Sequence, residues 1–125
     1  MAISRVLTRR HRRLHRALRH IGRKPRKLHR LRLRIKETRY LEEDFASLLA
    51  MPQERELKRL RQLQNRLGEF HDKWCLRKWL RSQYRRQPIA NRLCAIIDTR
   101  LAELFEDIAR LCKKLRTGPY GAAVA

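Results

Sequence analysis

Residues 28–40 read Leu-His-Arg-Leu-Arg-Leu-Arg-Ile-Lys-Glu-Thr-Arg-Tyr, and the pattern of this stretch organises the chain. Leu28, Leu31 and Ile35 are spaced three and four residues apart, which places them on one face of an α-helix. One residue after each position of this apolar seam, at the same spacing, runs a row of basic side chains. The members of this row are His29, Arg32, Lys36 and Arg39.

The position of these basic side chains points to an anionic ligand. A solvated helix carries its charges anywhere on its outer face, whereas these four residues occupy one narrow sector at the edge of the core. Like charges three and four residues apart are mutually unfavourable by about a few tenths of a kcal/mol. The row therefore suits an anion longer than a single phosphate.

The composition of the whole chain indicates the same class of ligand. Among 125 residues, 33 are Lys or Arg and 12 are Asp or Glu, so the formal net charge is +21. Residues 1–40 contain sixteen of the basic residues and one acid, Glu37. Self-repulsion of this size disfavours a compact chain unless an anionic partner relieves it. The partner is a polyanion, and the candidates are nucleic acid, polyphosphate and an anionic membrane surface.

Four amphipathic segments account for nearly the whole sequence. Apolar stripes at helical spacing define each segment, and Gly or Pro residues interrupt the pattern between them. Helix 4 has the most regular stripe and stops at Gly118-Pro119. The predicted helices are helix 1 over residues 3–21, helix 2 over 25–50, helix 3 over 54–84, and helix 4 from the turn at 85–88 to residue 117.

These segments predict an all-α fold. No segment has the alternation typical of a β-strand, and the short connections make consecutive helices antiparallel neighbours. We therefore expect an antiparallel up-down-up-down four-helix bundle with long helices. Residues 1–117 form this single bundle, and residues 118–125 form a flexible C-terminal tail.

Two other helices carry a comparable row beside their apolar seams. If helices 2 and 3 face each other, their rows converge on one groove, in which Gly68 allows close approach of backbone or ligand. The handedness of the bundle decides whether the helix 2 row meets the row of helix 3 or that of helix 1, and the sequence leaves this open. Helix 4 has no such row. The row of helix 3 is Lys58, Arg61, Gln64, Gly68 and His71, and that of helix 1 is Arg12, His15 and Arg19.

The sequence favours binding over catalysis. It contains no glycine-rich phosphate loop, nucleophile elbow or paired carboxylates, and we expect no catalytic residue, metal or cofactor. Glu42, Glu43 and Asp44 lie off the basic row and act as an acidic counterweight. His71 and Asp72 are adjacent on a helix and point about 100° apart, which disfavours a catalytic pair.

Further features bear on the compartment. Three cysteines without CxxC spacing are interpreted as free, buried thiols in a reducing environment. No apolar run approaches the ~20 residues of a membrane span. We therefore predict a cytoplasmic protein without a transmembrane segment.

Nucleic acid is the alternative polyanion. An arginine-rich helix 1 suits a DNA or RNA phosphate backbone, with the usual steep salt dependence. However, Phe45, Phe70 and Trp74 lie on the apolar seams, which favours the core over base stacking. A general polyanion-binding or nucleic-acid-binding protein remains the second interpretation.

Two motifs resemble those of the CHAD domain, the conserved histidine α-helical domain. The first is His29-x-x-Arg32-x-x-x-Lys36-x-x-Arg39-Tyr40, followed by Glu43. The second is Leu60-x-x-Leu63-Gln64-x-x-Leu67-Gly68-x-x-His71-Asp72. The resemblance implies a helical bundle that binds inorganic polyphosphate, in some cases on polyphosphate or polyhydroxyalkanoate granules or beside triphosphate-cleaving domains. Carried over to this chain, it implies phosphate contacts by His29, Arg32, Lys36, Arg39 and His71.

The sequence departs from this family in length. A typical CHAD domain is about twice as long and consists of two similar four-helix halves related by a pseudo-twofold axis. We expect this chain to supply one half and a symmetric homodimer to rebuild the whole arrangement.

Overall fold

The computed structural model describes residues 2–45 and 54–117, and its helices confirm the all-α four-helix prediction. Each helix packs against the next one in the chain, and the first also packs against the last, so that the four enclose a common core. The helices are α1 (Ala2–Arg19), α2 (Pro25–Phe45), α3 (Glu54–Gln83) and α4 (Pro88–Arg116).

The observed helix ends agree with the sequence to within a few residues. α1 ends at Arg19, two residues before the predicted end. Gln87 is extended and Pro88 begins α4, where its fixed φ suits a first helical turn and its missing N–H costs nothing. The predicted end of helix 2, the stop at 51–53 and the tail at 118–125 lie outside the described residues.

The core consists of the predicted apolar seams. Leu14, Leu31, Leu63 and Leu104, one from each helix, are fully buried. Burial of one such side chain contributes about 1.5–3 kcal/mol, so the seams supply the main favourable free energy of folding. Phe70 is buried as predicted, whereas the side chain of Phe45 lies outside the described part of the chain, as do the side chain of Leu7 and all of Leu49.

A buried polar pair ties α1 to α2. Nε2 of His11 lies 2.7 Å from Oε1 of Glu42, and the Glu42 side chain has no exposed surface. The expectation that Glu42 is an acidic counterweight to the basic rows is therefore wrong, because its carboxylate lies in the core. Glu42 occupies the seam position that follows Thr38 on α2, so the helical register carries its carboxylate into the core. The burial is tolerated because His11 supplies a hydrogen-bond partner.

Helix α4 differs in detail from its predicted seam. Cys94 and Cys112 belong to the core, whereas Leu93 is 40% exposed. All three cysteines are free, and Cys75, expected to be buried, is exposed. His29 of α2 lies beside His71 of α3, so the end of α3 and the start of α4 extend beyond the start of α2, and Leu93 stays in contact with solvent there.

Charged side chains join α3 to α4 at the surface. The Arg100 guanidinium donates to both carboxylate oxygens of Glu69 at 2.6 and 2.9 Å. This hydrogen-bonded pairing lowers the pKa of Glu69 below its ordinary value. The contribution of the pair to stability is therefore present near neutral pH and is lost as the pH falls through the lowered pKa. Across the described residues, none of the helices combines the length and apolar character of a bilayer span.

Candidate functional site

The basic rows of α2 and α3 meet along one side of the bundle. The ring centroids of His29 and His71 lie 5.8 Å apart, and Nη1 of Arg39 donates a 2.8 Å hydrogen bond to Oε1 of Gln64. The start of α2 thus lies beside His71, and its later turns lie beside Gln64. Of the two arrangements that the sequence left open, the structure has the one in which helix 3 completes the groove. The α2–α3 surface, as we name it, carries His29, Arg32, Lys36, Arg39, Lys58, Arg61 and His71.

One end of the α2–α3 surface groups hydrogen-bond donors from both helices. His29, Arg32 and His71 line a narrow crevice of about 10 Å³, so a phosphate group would rest on its rim. Apolar side chains of the core form the crevice floor, among them Leu67 and Phe70. Nε of Arg32 is shielded from solvent and has no hydrogen-bond partner in the described ranges. A guanidinium and two imidazoles at one crevice form a cluster of donors suited to an oxyanion.

The other end of the surface is partly neutralised. Nη2 of Arg61 donates to Oε1 of Glu43 at 3.2 Å, and Nε of Arg39 lies 3.5 Å from the same oxygen. Glu43 therefore does not lie off the basic row, as expected, but within reach of two of its members. Lys36 on α2 and the exposed Lys58 on α3 have no ion pair among the residues that the structure describes. Cations without an ion pair to a described residue therefore lie on both sides of Glu43, at Arg32 and Lys36 on α2 and at Lys58 on α3.

Gly68 lies in the α3 row, one turn before His71. A Cβ atom added to Gly68 would meet no heavy atom within 4 Å. Close packing of another helix therefore does not explain this glycine, although glycine disfavours a helix interior. The space above it is open to a ligand on the α2–α3 surface.

The predicted row of α1 lies elsewhere. Arg12 lines a shallow depression together with other residues of α1 alone. Partial burial lowers the pKa of His15, and the charges of Arg19 and of Arg116 at the end of α4 lower it further. The row therefore flanks the contact between α1 and α4, and the structure does not bring Arg12, His15 and Arg19 to the α2–α3 surface. The reason is geometric: α1 packs against α2 and α4, not against the side of α2 that faces α3.

The chemistry available on the α2–α3 surface is hydrogen-bond donation and positive charge. Sγ of Cys75 lies 3.6 Å from Nε2 of His71, and the Asp72 side chain is exposed. Within residues 2–45 and 54–117, no three His, Cys, Asp or Glu side chains are grouped so as to hold a metal ion.

An open concavity between α1 and α2 was not among the predicted sites. Its volume is about 440 Å³, and we call it the α1–α2 groove. The sequence carries a signal for this concavity. Its basic residues recur every three or four positions on α1 and α2. On each helix they lie on one side of the apolar seam, and the predicted row lies on the other side. The basic residues that line it are Arg13, Arg16, His20, Lys27, Arg30 and Arg34.

Comparison with known families agrees with the motifs on α2 and α3. The family model of the CHAD domain matches residues 2–81, which is more than half of the chain. The chain belongs to the CHAD domain family. The matched region includes α1, α2 and nearly all of α3, and hence the complete α2–α3 surface of this CHAD domain. The family is linked to polyphosphate. No curated protein and no solved structure gives a significant match.

Proposed function

We propose that this CHAD domain binds inorganic polyphosphate along the α2–α3 surface. The observation that carries the proposal is the crevice formed by His29, Arg32 and His71, where the shielded Nε of Arg32 has no hydrogen-bond partner among the described residues. A phosphate there accepts charge-assisted hydrogen bonds. Arg32 need not break an ion pair with a described residue in order to donate them. Lys36, one turn further along α2, receives the next phosphates of the chain.

The proposal is tested by removing charge from this surface and from a matched place elsewhere. Each Arg contact contributes about 1.5–3 kcal/mol as a charged hydrogen bond, and less where it is exposed. Arg32→Ala combined with Arg39→Ala should therefore weaken polyphosphate binding by about thirtyfold or more. The control is Arg110→Ala with Lys113→Ala at exposed positions of α4, which removes the same charge and should cost little.

Isothermal titration of each variant with long-chain polyphosphate at physiological salt provides the measurement. Equal losses in the two double variants would contradict the proposal, because they would indicate diffuse attraction by the net charge in place of a defined surface.

We also propose that binding occurs without catalysis. Phosphoryl transfer ordinarily needs carboxylates that hold Mg²⁺ beside the reacting phosphate. Glu43, the carboxylate that contacts the α2–α3 surface, lies at its neutralised end and contacts Arg39 and Arg61. Polyphosphate incubated with the protein and Mg²⁺ should keep its length on a denaturing gel. Shortening that depends on Arg32 would refute this part of the proposal.

A homodimer is the oligomeric state that we propose. His29 lies beside His71, α3 continues for twelve residues after His71, and α2 begins four residues before His29. At 1.5 Å per residue the α3–α4 hairpin therefore extends about 12 Å beyond the start of α2. Large apolar side chains are exposed on this projecting end, a feature typical of an interaction surface. Two copies related by a twofold axis would cover each other's projecting ends. The exposed side chains are Leu76, Trp79, Tyr84, Ile89, Leu93 and Ile96.

Light scattering after size exclusion, with and without polyphosphate, measures the oligomeric state. The dimer should have twice the 15.2 kDa mass of the chain, and Trp79→Asp with Ile96→Asp should dissociate it. A 15.2 kDa monomer of the unmodified chain under both conditions would refute the dimer.

We further propose a cytoplasmic location on polyphosphate or polyhydroxyalkanoate granules. The link of the CHAD family to polyphosphate supports this proposal. A fluorescent fusion should co-localise with granules in cells that accumulate polyphosphate and become diffuse when Arg32 and Arg39 are replaced. Co-localisation that survives both replacements would assign granule binding to another surface.

A further inference from the structure

The α1–α2 groove differs in charge from the concavity between α3 and α4. Its lining contains six basic residues, the small side chain of Ala17 and no acid. The concavity between α3 and α4 has a similar volume, about 360 Å³, but its Asp107 forms ion pairs with Arg66 and Arg110. An open groove with cations on both walls is therefore specific to the α1–α2 side among the described interhelical concavities.

The basic residues of the α1–α2 groove are mostly unpaired. Arg13, Arg16, Lys27 and Arg30 have no ion pair with any residue in the described ranges. One carboxylate lies near this set, that of Glu37. Its Oε2 accepts hydrogen bonds from Arg10 at 2.8 Å and Arg34 at 3.2 Å, and its single negative charge does not offset the four unpaired cations. The folded chain thus gathers like charges on two facing walls without relieving their repulsion, which an anion between the walls would do.

The groove lies close to the α2–α3 surface. α2 carries Arg30 and Arg34 on its flank towards α1, and Arg32 and Lys36 on its flank towards α3. Since an α-helix with its side chains is about 10–12 Å across, the two basic surfaces are separated by the width of one helix. The exposed face between them carries Leu33 and no acid from residue 26 to residue 36.

We propose that the α1–α2 groove is a second phosphate-binding site, occupied by a further stretch of a polyphosphate chain that also lies on the α2–α3 surface. This inference rests on the proposed function and specifies its ligand as long polyphosphate chains. A long chain crosses the outer face of α2 and engages both surfaces, so its second contact is intramolecular and its affinity exceeds that of a short chain. A short chain such as tripolyphosphate occupies one surface at a time.

The test compares two triple variants with equal loss of charge. The groove variant is Arg13→Ala, Arg16→Ala and Arg30→Ala, and the control on α4 is Arg110→Ala, Lys113→Ala and Lys114→Ala. The groove residues are exposed and unpaired, so the groove variant should fold, and a thermal melt of each variant verifies this. Long-chain polyphosphate, tripolyphosphate and duplex DNA are titrated into each protein at one salt concentration.

The groove variant should lose about tenfold or more in affinity for long-chain polyphosphate relative to the control. Its tripolyphosphate affinity at the remaining surface should stay unchanged, while the number of tripolyphosphate molecules bound per chain falls. Equal long-chain affinities of groove variant and control would overturn the inference. Loss of duplex DNA affinity with retained polyphosphate affinity would also overturn it and assign the groove to nucleic acid.

The variant Arg32→Ala with Arg39→Ala, measured in the same series, separates the two proposals. If this variant loses affinity while the groove variant behaves like the control, the inference is wrong and the proposed function stands. If the groove variant loses affinity while the Arg32 and Arg39 variant binds normally, the α2–α3 surface is not the binding surface.

Discussion

Gly68→Ala should make the protein more stable and a weaker binder. Alanine is favoured over glycine in a helix interior by about 0.8–1.0 kcal/mol. No heavy atom lies within 4 Å of the added Cβ, so no packing penalty offsets this gain. The unfolding free energy should rise by about 1 kcal/mol, which corresponds to a melting temperature higher by roughly 3–6 °C for a chain of this size.

The same methyl group occupies space on the α2–α3 surface, one turn from His71. A phosphate chain that lies against the Gly68 backbone must move outward, which lengthens its hydrogen bonds without abolishing them. We therefore expect polyphosphate affinity to fall by up to about tenfold, part of the value of one charged hydrogen bond. Urea denaturation and isothermal titration on the same preparation measure the two effects.

Asn65→Ala is the matched control for this experiment. Asn65 is an exposed residue of α3 that lines the concavity towards α4, so its replacement should improve helix propensity without touching the α2–α3 surface. A loss of stability in Gly68→Ala would show that the glycine serves packing. A gain in stability with affinity unchanged, as in Asn65→Ala, would refute the contact between ligand and backbone.

Three further predictions concern protonation, the buried pair and the thiols. Polyphosphate should bind more tightly at about pH 6 than at about pH 8, because a bound anion favours the imidazolium forms of the two histidines at the crevice; equal affinities in titrations at both pH values would remove them from the site. His11→Ala should lower the unfolding free energy by about 1.5–3 kcal/mol in urea denaturation, since it removes a 2.7 Å hydrogen bond to the buried Glu42 carboxylate. An unchanged unfolding free energy would contradict this. A thiol reagent should modify the exposed Cys75 rapidly in the folded protein, and the buried Cys94 and Cys112 only after denaturation. Burial raises the pKa of the Cys112 thiol to about 12, and the thiolate is the reactive form, so fast modification of Cys112 would indicate an open core.

The helices and most of the core follow from periodicity alone. The spacing of Leu28, Leu31 and Ile35 fits an amphipathic helix with one buried face. The short connections place each helix beside the next one in the chain. The α2–α3 surface was predictable in part for the same reason, since residues at a fixed offset from two facing seams converge. Which neighbour completes the groove depends on the handedness of the bundle, a property of tertiary packing that the spacing of residues does not encode.

The features in which the structure differs from the sequence prediction also depend on tertiary packing. Glu42 is a charged residue at a seam position, and its burial depends on a partner 31 positions earlier in the chain. Leu93 is exposed because the start of α4 extends beyond the start of α2, which depends on the register between the helices. Glu43 contacts Arg61 because side chains of different helices reach each other across the interface. Each of these features depends on how different helices lie relative to one another, which the pattern of a single helix does not show.

The most direct test of the central claim is a competition titration at physiological salt. Labelled long-chain polyphosphate bound to the CHAD domain is displaced by unlabelled polyphosphate, duplex DNA or single-stranded RNA, compared per phosphate. If the α2–α3 surface recognises closely spaced phosphates, polyphosphate should compete better than either nucleic acid by about tenfold or more. Equal competition by the three polyanions would contradict the claim and make the +21 charge a general polyanion attractor, with nucleic acid as the leading partner.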